Sequence, residues 1–150
     1  MRKAVVEEAK EEAFERPLTL PQLARLAEVE YRTLHTWLRR GLIEPSVQRS
    51  AGAGTPNLFS RRNAITARVL ADLRRLGLGF TALEQVALRL AEEPLPGADA
   101  VLVVNGRVAI LSEKQELADA LVRPEPAVIY RLAWAEVAIA GSEKQARRGF

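Results

Sequence analysis

The sequence predicts an α+β fold: a mainly helical first half interrupted by one hairpin, followed by a small ββαβ-type module. Three observations predict it. Capping patterns of Ser or Thr followed three residues later by Gln or Glu stand at Thr19, Thr81 and Ser112, each before a run of helical periodicity. Glycine and proline cluster between Pro45 and Pro56, as in a flexible hairpin. Asn105-Gly106, the strongest short hairpin signal, separates two runs rich in β-branched residues.

Taken in order, residues 3–15 carry Val6, Ala9, Ala13 and Phe14 on one face among many glutamates, an amphipathic helix stopped by Pro17. Residues 1–17 are therefore an N-terminal arm, whose apolar stripe is expected to pack on the following domain or on a partner chain. Thr19 and Gln22 cap a short helix lined by Leu20, Leu23, Ala24 and Ala27, with Pro21 tolerated in its first turn. A second helix runs from near Glu30 to Arg40, with Leu34, Trp37 and Leu38 on one face and Gly41 as its left-handed terminator. Two short helices joined by about three residues make a helix-turn-helix. The hairpin over 43–59 is a wing beside it. Ser60 caps a helix ending at Gly77, and Thr81 with Glu84 opens another that stops before the linker Pro94-Leu95-Pro96-Gly97.

The basic winged unit thus occupies 18–93 and the ββαβ module 97–141. In that module Ser112 and Gln115 open a helix through Leu121, and a strand follows at Val128–Leu132. Residues 134–140 fit a helix or a strand. The polar, basic residues 142–150 are expected to be a disordered tail.

Composition limits the chemistry. Of 150 residues 48% are hydrophobic and only 5% aromatic, so the core must be built mainly from Leu, Val and Ala. There is no cysteine, which excludes disulfides, thiolate catalysis and zinc-finger sites, and the single histidine leaves a soft-metal site without ligands. No triad, carboxylate pair or phosphate loop can be assembled; Glu7-Glu8 and Glu92-Glu93 read as solvated helix faces. The chain is expected not to be an enzyme and to need no cofactor. No signal peptide or membrane-length apolar run is legible, so a cytoplasmic location is expected.

Charge is informative by placement. The net charge is +3, but Leu18–Gly79 holds ten arginines against Glu28, Glu30, Glu44 and Asp72, a local excess of +6. A basic module between acidic flanks reads as a nucleic-acid footprint, although arginine could also serve only to solubilise. If Leu34, Trp37 and Leu38 face inward, the outward face of the second helix carries Tyr31, Arg32, His35, Thr36, Arg39 and Arg40. The N-terminal half of such a helix enters the major groove. Arg32, His35 and Thr36 are candidates for base edges, and Tyr31, Arg39 and Arg40 for phosphate. His35 is equally well placed as a plain surface residue. Gln48, Arg49 and Asn57 are the wing candidates. Arg61 and Arg62 stand in the first turn of a helix, where two cations oppose the macrodipole at about 0.3–1 kcal/mol each. A bound phosphate there offsets that cost. Trp37, Tyr130 and Trp134 are assigned to packing, with a ligand pocket in the second module as the alternative for the last two.

Leu20-Pro21-Gln22-Leu23-Ala24, Val29, Thr33-Leu34, Trp37, Gly41-Leu42-Ile43, Leu58-Phe59-Ser60 and Leu73-Arg74-Arg75-Leu76-Gly77 follow one order over about half the chain. In that order and spacing they resemble the N-terminal domain of MerR-family transcriptional regulators. Three positions depart from the family pattern. His35-Thr36-Trp37 replaces its Arg-Tyr-Tyr, Asn57 its wing arginine, and Arg61 and Arg62 its acidic residues. The resemblance implies a sequence-specific regulator bound to double-stranded DNA as a homodimer. The family's long dimer helix has no legible counterpart here, so dimer contacts are expected from the ββαβ module, the arm or both. Two other readings of that module remain open. It could capture a protein partner in the manner of an antitoxin or adaptor, with DNA binding for tethering, or hold a small-molecule effector.

Overall fold

Thr19 opens the first helix as its sequence requires. Its hydroxyl accepts from the Gln22 amide at 3.4 Å, and its own N–H donates to Gln22 Oε1 at 3.0 Å. The computed structural model describes residues 16–92 and 100–148. The arm helix expected over 3–15 and the linker around Pro94–Gly97 lie outside the described residues. Helix α1 spans Leu20–Ala27 and buries Leu23, Ala24 and Ala27. Glu28 ends it in the left-handed region, and α2 follows at Tyr31–Arg39 with Leu34 and Trp37 inward. Gly41 has the positive φ, 78°, expected of it. The predicted helix-turn-helix is therefore present.

The wing is a minimal hairpin. Gln48 and Leu58 exchange backbone hydrogen bonds, and Thr55 N–H closes the tip on the Gly52 carbonyl at 3.2 Å. Leu18 pairs with Phe59 and so closes the loop from the start of α1 to the end of the wing. Helix α3, Arg61–Arg75, has Ser60 at its N-cap, reinforced by Asn63. Helix α4 spans Phe80–Glu92. The Leu83 amide donates to the Gly79 carbonyl at 3.1 Å, so the helix begins two residues early and Thr81 lies inside its first turn instead of capping it.

Strands β1 (Val101–Val104) and β2 (Val108–Leu111) form the hairpin about Gly106, whose φ is 90°. The sheet order is β2-β1-β3, all antiparallel, with β3 at Val128–Arg131. Leu102 stands opposite both Ile110 and Tyr130, and this register turns Leu102, Val104 and Tyr130 to the helical core. Helix α5, Lys114–Leu121, starts from Glu113 without a side-chain cap, so Ser112 falls one residue outside the position predicted for it.

The last helix decides one open reading and corrects one expectation. Residues 134–140, which fit either element, are helical, and so are residues 142–148 of the stretch expected to be disordered. Helix α6 runs unbroken over Leu132–Arg148. Gly141 lies within it and does not terminate it. Leu132, Ala135 and Ile139 recur at helical spacing, are buried, and anchor the helix against α1 and α3. One core cluster extends from Leu23 through Phe59, Leu70 and Leu90 to Leu102, Tyr130 and Ile139, so the winged unit and the sheet module share an interior. Among the described residues no helix is long and apolar enough to cross a membrane. Nor do those residues group three potential metal ligands.

Candidate nucleic-acid interface

Helix α2 is the centre of the candidate interface because its apolar residues fix which way its polar ones face. Leu34 is fully buried and Trp37 nearly so. That leaves Tyr31, Arg32, His35, Thr36, Arg39 and Arg40 exposed on the opposite side, as the sequence predicts. Trp37 is a core residue. The Tyr31 and His35 rings lie 6.1 Å apart along one edge of this face. The Thr36 hydroxyl donates back to the Arg32 carbonyl at 3.0 Å, which leaves its oxygen free to accept. Among the described residues no carboxylate lies within ion-pair distance of Arg32 or Arg39. The Arg40 guanidinium sits 3.5 Å above the Phe80 ring of α4, a cation–π contact that fixes the side chain while keeping its charge.

The wing candidates are arranged differently. Gln48 Nε2 donates to the Pro56 carbonyl at 2.9 Å, and Asn57 Oδ1 accepts the Ser50 amide at 2.7 Å, so both shape the hairpin. Arg49 pairs with Glu44 at 3.0 Å, but both side chains are about two-thirds exposed and the pair is open to exchange with solvent or a phosphate. The residue that holds the wing to the domain is Asn63. Its Oδ1 accepts the amides of Ser46 and Ser60, and its Nδ2 donates to the Glu44 carbonyl at 2.8 Å. Sequence reasoning missed Asn63. The only signal was an amide three residues after Ser60, where a capping box more often has an acid.

Arg61 and Arg62 are engaged inside the fold. Arg61 Nε donates to Glu143 of α6 at 3.0 Å, with both side chains only about a quarter exposed. Arg62 Nη2 donates to the Leu90 carbonyl near the end of α4 at 2.6 Å. The cost of two cations at a helix N-terminus is thus offset by a carboxylate and a carbonyl of the same chain. Arg68, counted in the basic excess, is 8% exposed and is held by Asp72 and Glu28. Arg74 donates to the Thr33 hydroxyl at 3.4 Å, linking α3 to α2.

Comparison with known proteins agrees with this geometry. Residues 18–90 match the family model described as MerR HTH family regulatory protein. Over 60 residues the chain is 29% identical to uncharacterized HTH-type transcriptional regulators of Mycobacterium bovis and of two strains of Mycobacterium tuberculosis. The aligned stretch is 40% of this chain and spans 27% of the length of those relatives. The capping box at Thr19, the left-handed turn at Glu28, the inward Leu34 and Trp37 and the wing closed on Leu18 all fall inside the matched region. Residues 18–90 are a MerR-family helix-turn-helix regulatory domain.

Proposed function

We propose that this chain is a sequence-specific, DNA-binding transcriptional regulator that acts as a dimer, with α2 in the major groove of double-stranded DNA. The observation that carries the reading is the exposed face of α2. It presents Arg32 and Arg39 without carboxylate partners among the described residues, and it is oriented by the buried Leu34 and Trp37. Arg32 is suited to bidentate contact with guanine, and His35 and Thr36 can donate to or accept from neighbouring base edges. Tyr31, Arg39 and Arg40 are assigned to phosphates, which position the helix without reading sequence. Arg49 grips the flanking backbone from the wing by leaving Glu44. A dimer follows from the way helix-turn-helix proteins read half-sites about a two-fold axis.

In vitro selection of bound duplex with the full-length chain tests the proposal. A palindromic consensus, its half-sites about one helical turn apart, is the expected result. Enrichment of a single half-site would remove the dimer and keep the reader. No enrichment at all would remove sequence-specific binding.

A further inference from the structure

A set of polar contacts runs from the C-terminal sheet to the turn of the helix-turn-helix. Tyr130 on β3 is 6% exposed and donates its hydroxyl to Asp72 Oδ2 at 2.6 Å. Asp72, on α3, also accepts from Arg68 Nε at 3.2 Å and from Arg75 Nη1 at 3.0 Å. Both arginines reach onward to one residue. Arg68 Nη1 donates to the Glu28 carboxylate at 3.2 Å, and Arg75 Nη2 donates to the Glu28 backbone carbonyl at 3.0 Å. Glu28 ends α1 with φ 55°, and it is the one non-glycine residue with positive φ among those described. A side chain holds that conformation only where its surroundings impose it. Two residues later Glu30 is the N-cap of α2, without a side-chain hydrogen bond of its own. The turn that aims the recognition helix is therefore gripped by two arginines whose common anchor is Asp72.

We infer that the C-terminal sheet sets the pose of the recognition helix through Tyr130, a positioning residue that holds Asp72, and with it Arg68 and Arg75, against the Glu28 turn. The two carboxylates and two guanidinium groups balance in charge. Arg68 and Asp72 are largely buried, whereas Glu28 and Arg75 are more than half exposed, so the set confers geometry more than net stability. Burial, and then the Asp72 carboxylate beside it, push the Tyr130 phenol well above its ordinary pKa, so at neutral pH the hydroxyl is a constant donor. Without that donor Asp72 Oδ2 keeps only Arg68, and the carboxylate is free to rotate toward Arg75. The shift is passed to the Glu28 carbonyl. What the clamp does for DNA rests on the proposed function; that it holds the turn does not.

The test is Tyr130→Phe in the full-length chain, which keeps the ring in the core and removes only the hydroxyl. Amide hydrogen exchange in the free protein is read first. The Val29 and Leu34 amides, bonded to the Ala24 and Glu30 carbonyls at 2.9 and 3.0 Å, are expected to exchange at least about threefold faster. The Leu58 amide, bonded to the Gln48 carbonyl in the wing, is expected to keep its rate. Unchanged exchange at Val29 and Leu34, or an equal rise at Leu58, overturns the clamp. Binding to the selected duplex is read second. Affinity should fall about 3- to 10-fold with an unchanged salt slope, because the phosphate contacts stay while the helix is aimed less well. A looser turn with undiminished affinity overturns the claim that it sets the pose. If the wild-type chain enriches no duplex, the proposed function fails, and the exchange data still decide the clamp.

Discussion

Arg39-Arg40 and Arg61-Arg62 are two arginine pairs in one basic domain, and the fold treats them in opposite ways. Arg39 projects from the end of α2 with no carboxylate near it among the described residues, and Arg40 keeps its charge while resting on Phe80. Arg61 is closed on Glu143, and Arg62 on the Leu90 carbonyl. Cations at a helix N-terminus such as Arg61 and Arg62 need compensation. The expected source was a bound phosphate, and in the free protein a carboxylate on a distant helix supplies it for Arg61. The fold leaves a cation open to exchange where it is unpaired or paired only at the exposed surface, as Arg49 is with Glu44.

The largest effect that sharpens this contrast is at Arg68. Its side chain is 10% exposed and ties Asp72 to Glu28. Arg68→Ala removes a guanidinium from Asp72, which keeps Arg75 and Tyr130, and from the exposed Glu28 carboxylate, and is expected to cost about 1.5–3 kcal/mol in urea unfolding. Arg32→Ala and Arg39→Ala, on the exposed face, should stay within about 0.5 kcal/mol of the wild type. Comparable losses for all three would erase the distinction between structural and available arginines.

The same cluster makes a prediction in pH. The Tyr130 phenol binds its proton more tightly in the folded state than in the unfolded one, chiefly because burial opposes the phenolate. Its stabilising contribution is therefore complete below the unfolded value, about pH 10, and is lost as pH rises above it. Urea midpoints taken from pH 8 upward should fall more steeply for the wild type than for Tyr130→Phe. Parallel curves would mean that the phenol is not held as the structure places it.

Much of the domain was legible because its signals are local. Thr19 with Gln22, Ser60, Gly41 and Asn105-Gly106 each specify their own few residues, and Leu34 with Trp37 orients α2 from spacing alone. What escaped depends on residues far apart in the chain. Residues 134–140 fit either element, and the polar stretch after them reads as a tail, unless one knows that Leu132, Ala135 and Ile139 are buried against α1 and α3. With α6 unseen, Glu143 had no place, and so Arg61 looked free. Arg68 counted as surface charge because nothing in its neighbourhood along the sequence reveals Glu28 forty residues away. Tyr130 was rightly assigned to packing, but the role of its hydroxyl needed Asp72 to be seen beside it.

Arg32→Ala carries the next effect, on binding and not on folding. A good bidentate contact discriminates by about 1–3 kcal/mol, so affinity for the selected duplex should fall about 5- to 150-fold relative to random duplex. Equal losses on both would move Arg32 from reading bases to holding phosphate.

The smallest effect tests the Arg61 pair itself. At 3.0 Å and about a quarter exposed on each side, it is expected to contribute about 1 kcal/mol or less. Arg61→Ala and Glu143→Gln should each lower stability by about that much, and the double variant by no more than the larger single loss. DNA binding separates a closed pair from one that opens. With the pair closed, Arg61→Ala leaves the salt slope unchanged, whereas Arg39→Ala makes it shallower by about one counterion. Glu143→Gln then frees a cation at the start of α3, and should tighten binding to every duplex and steepen the slope by about one. If instead Arg61→Ala alone flattens the slope as Arg39→Ala does, Arg61 leaves Glu143 for phosphate when DNA arrives. The two arginine pairs would then differ only in the free protein.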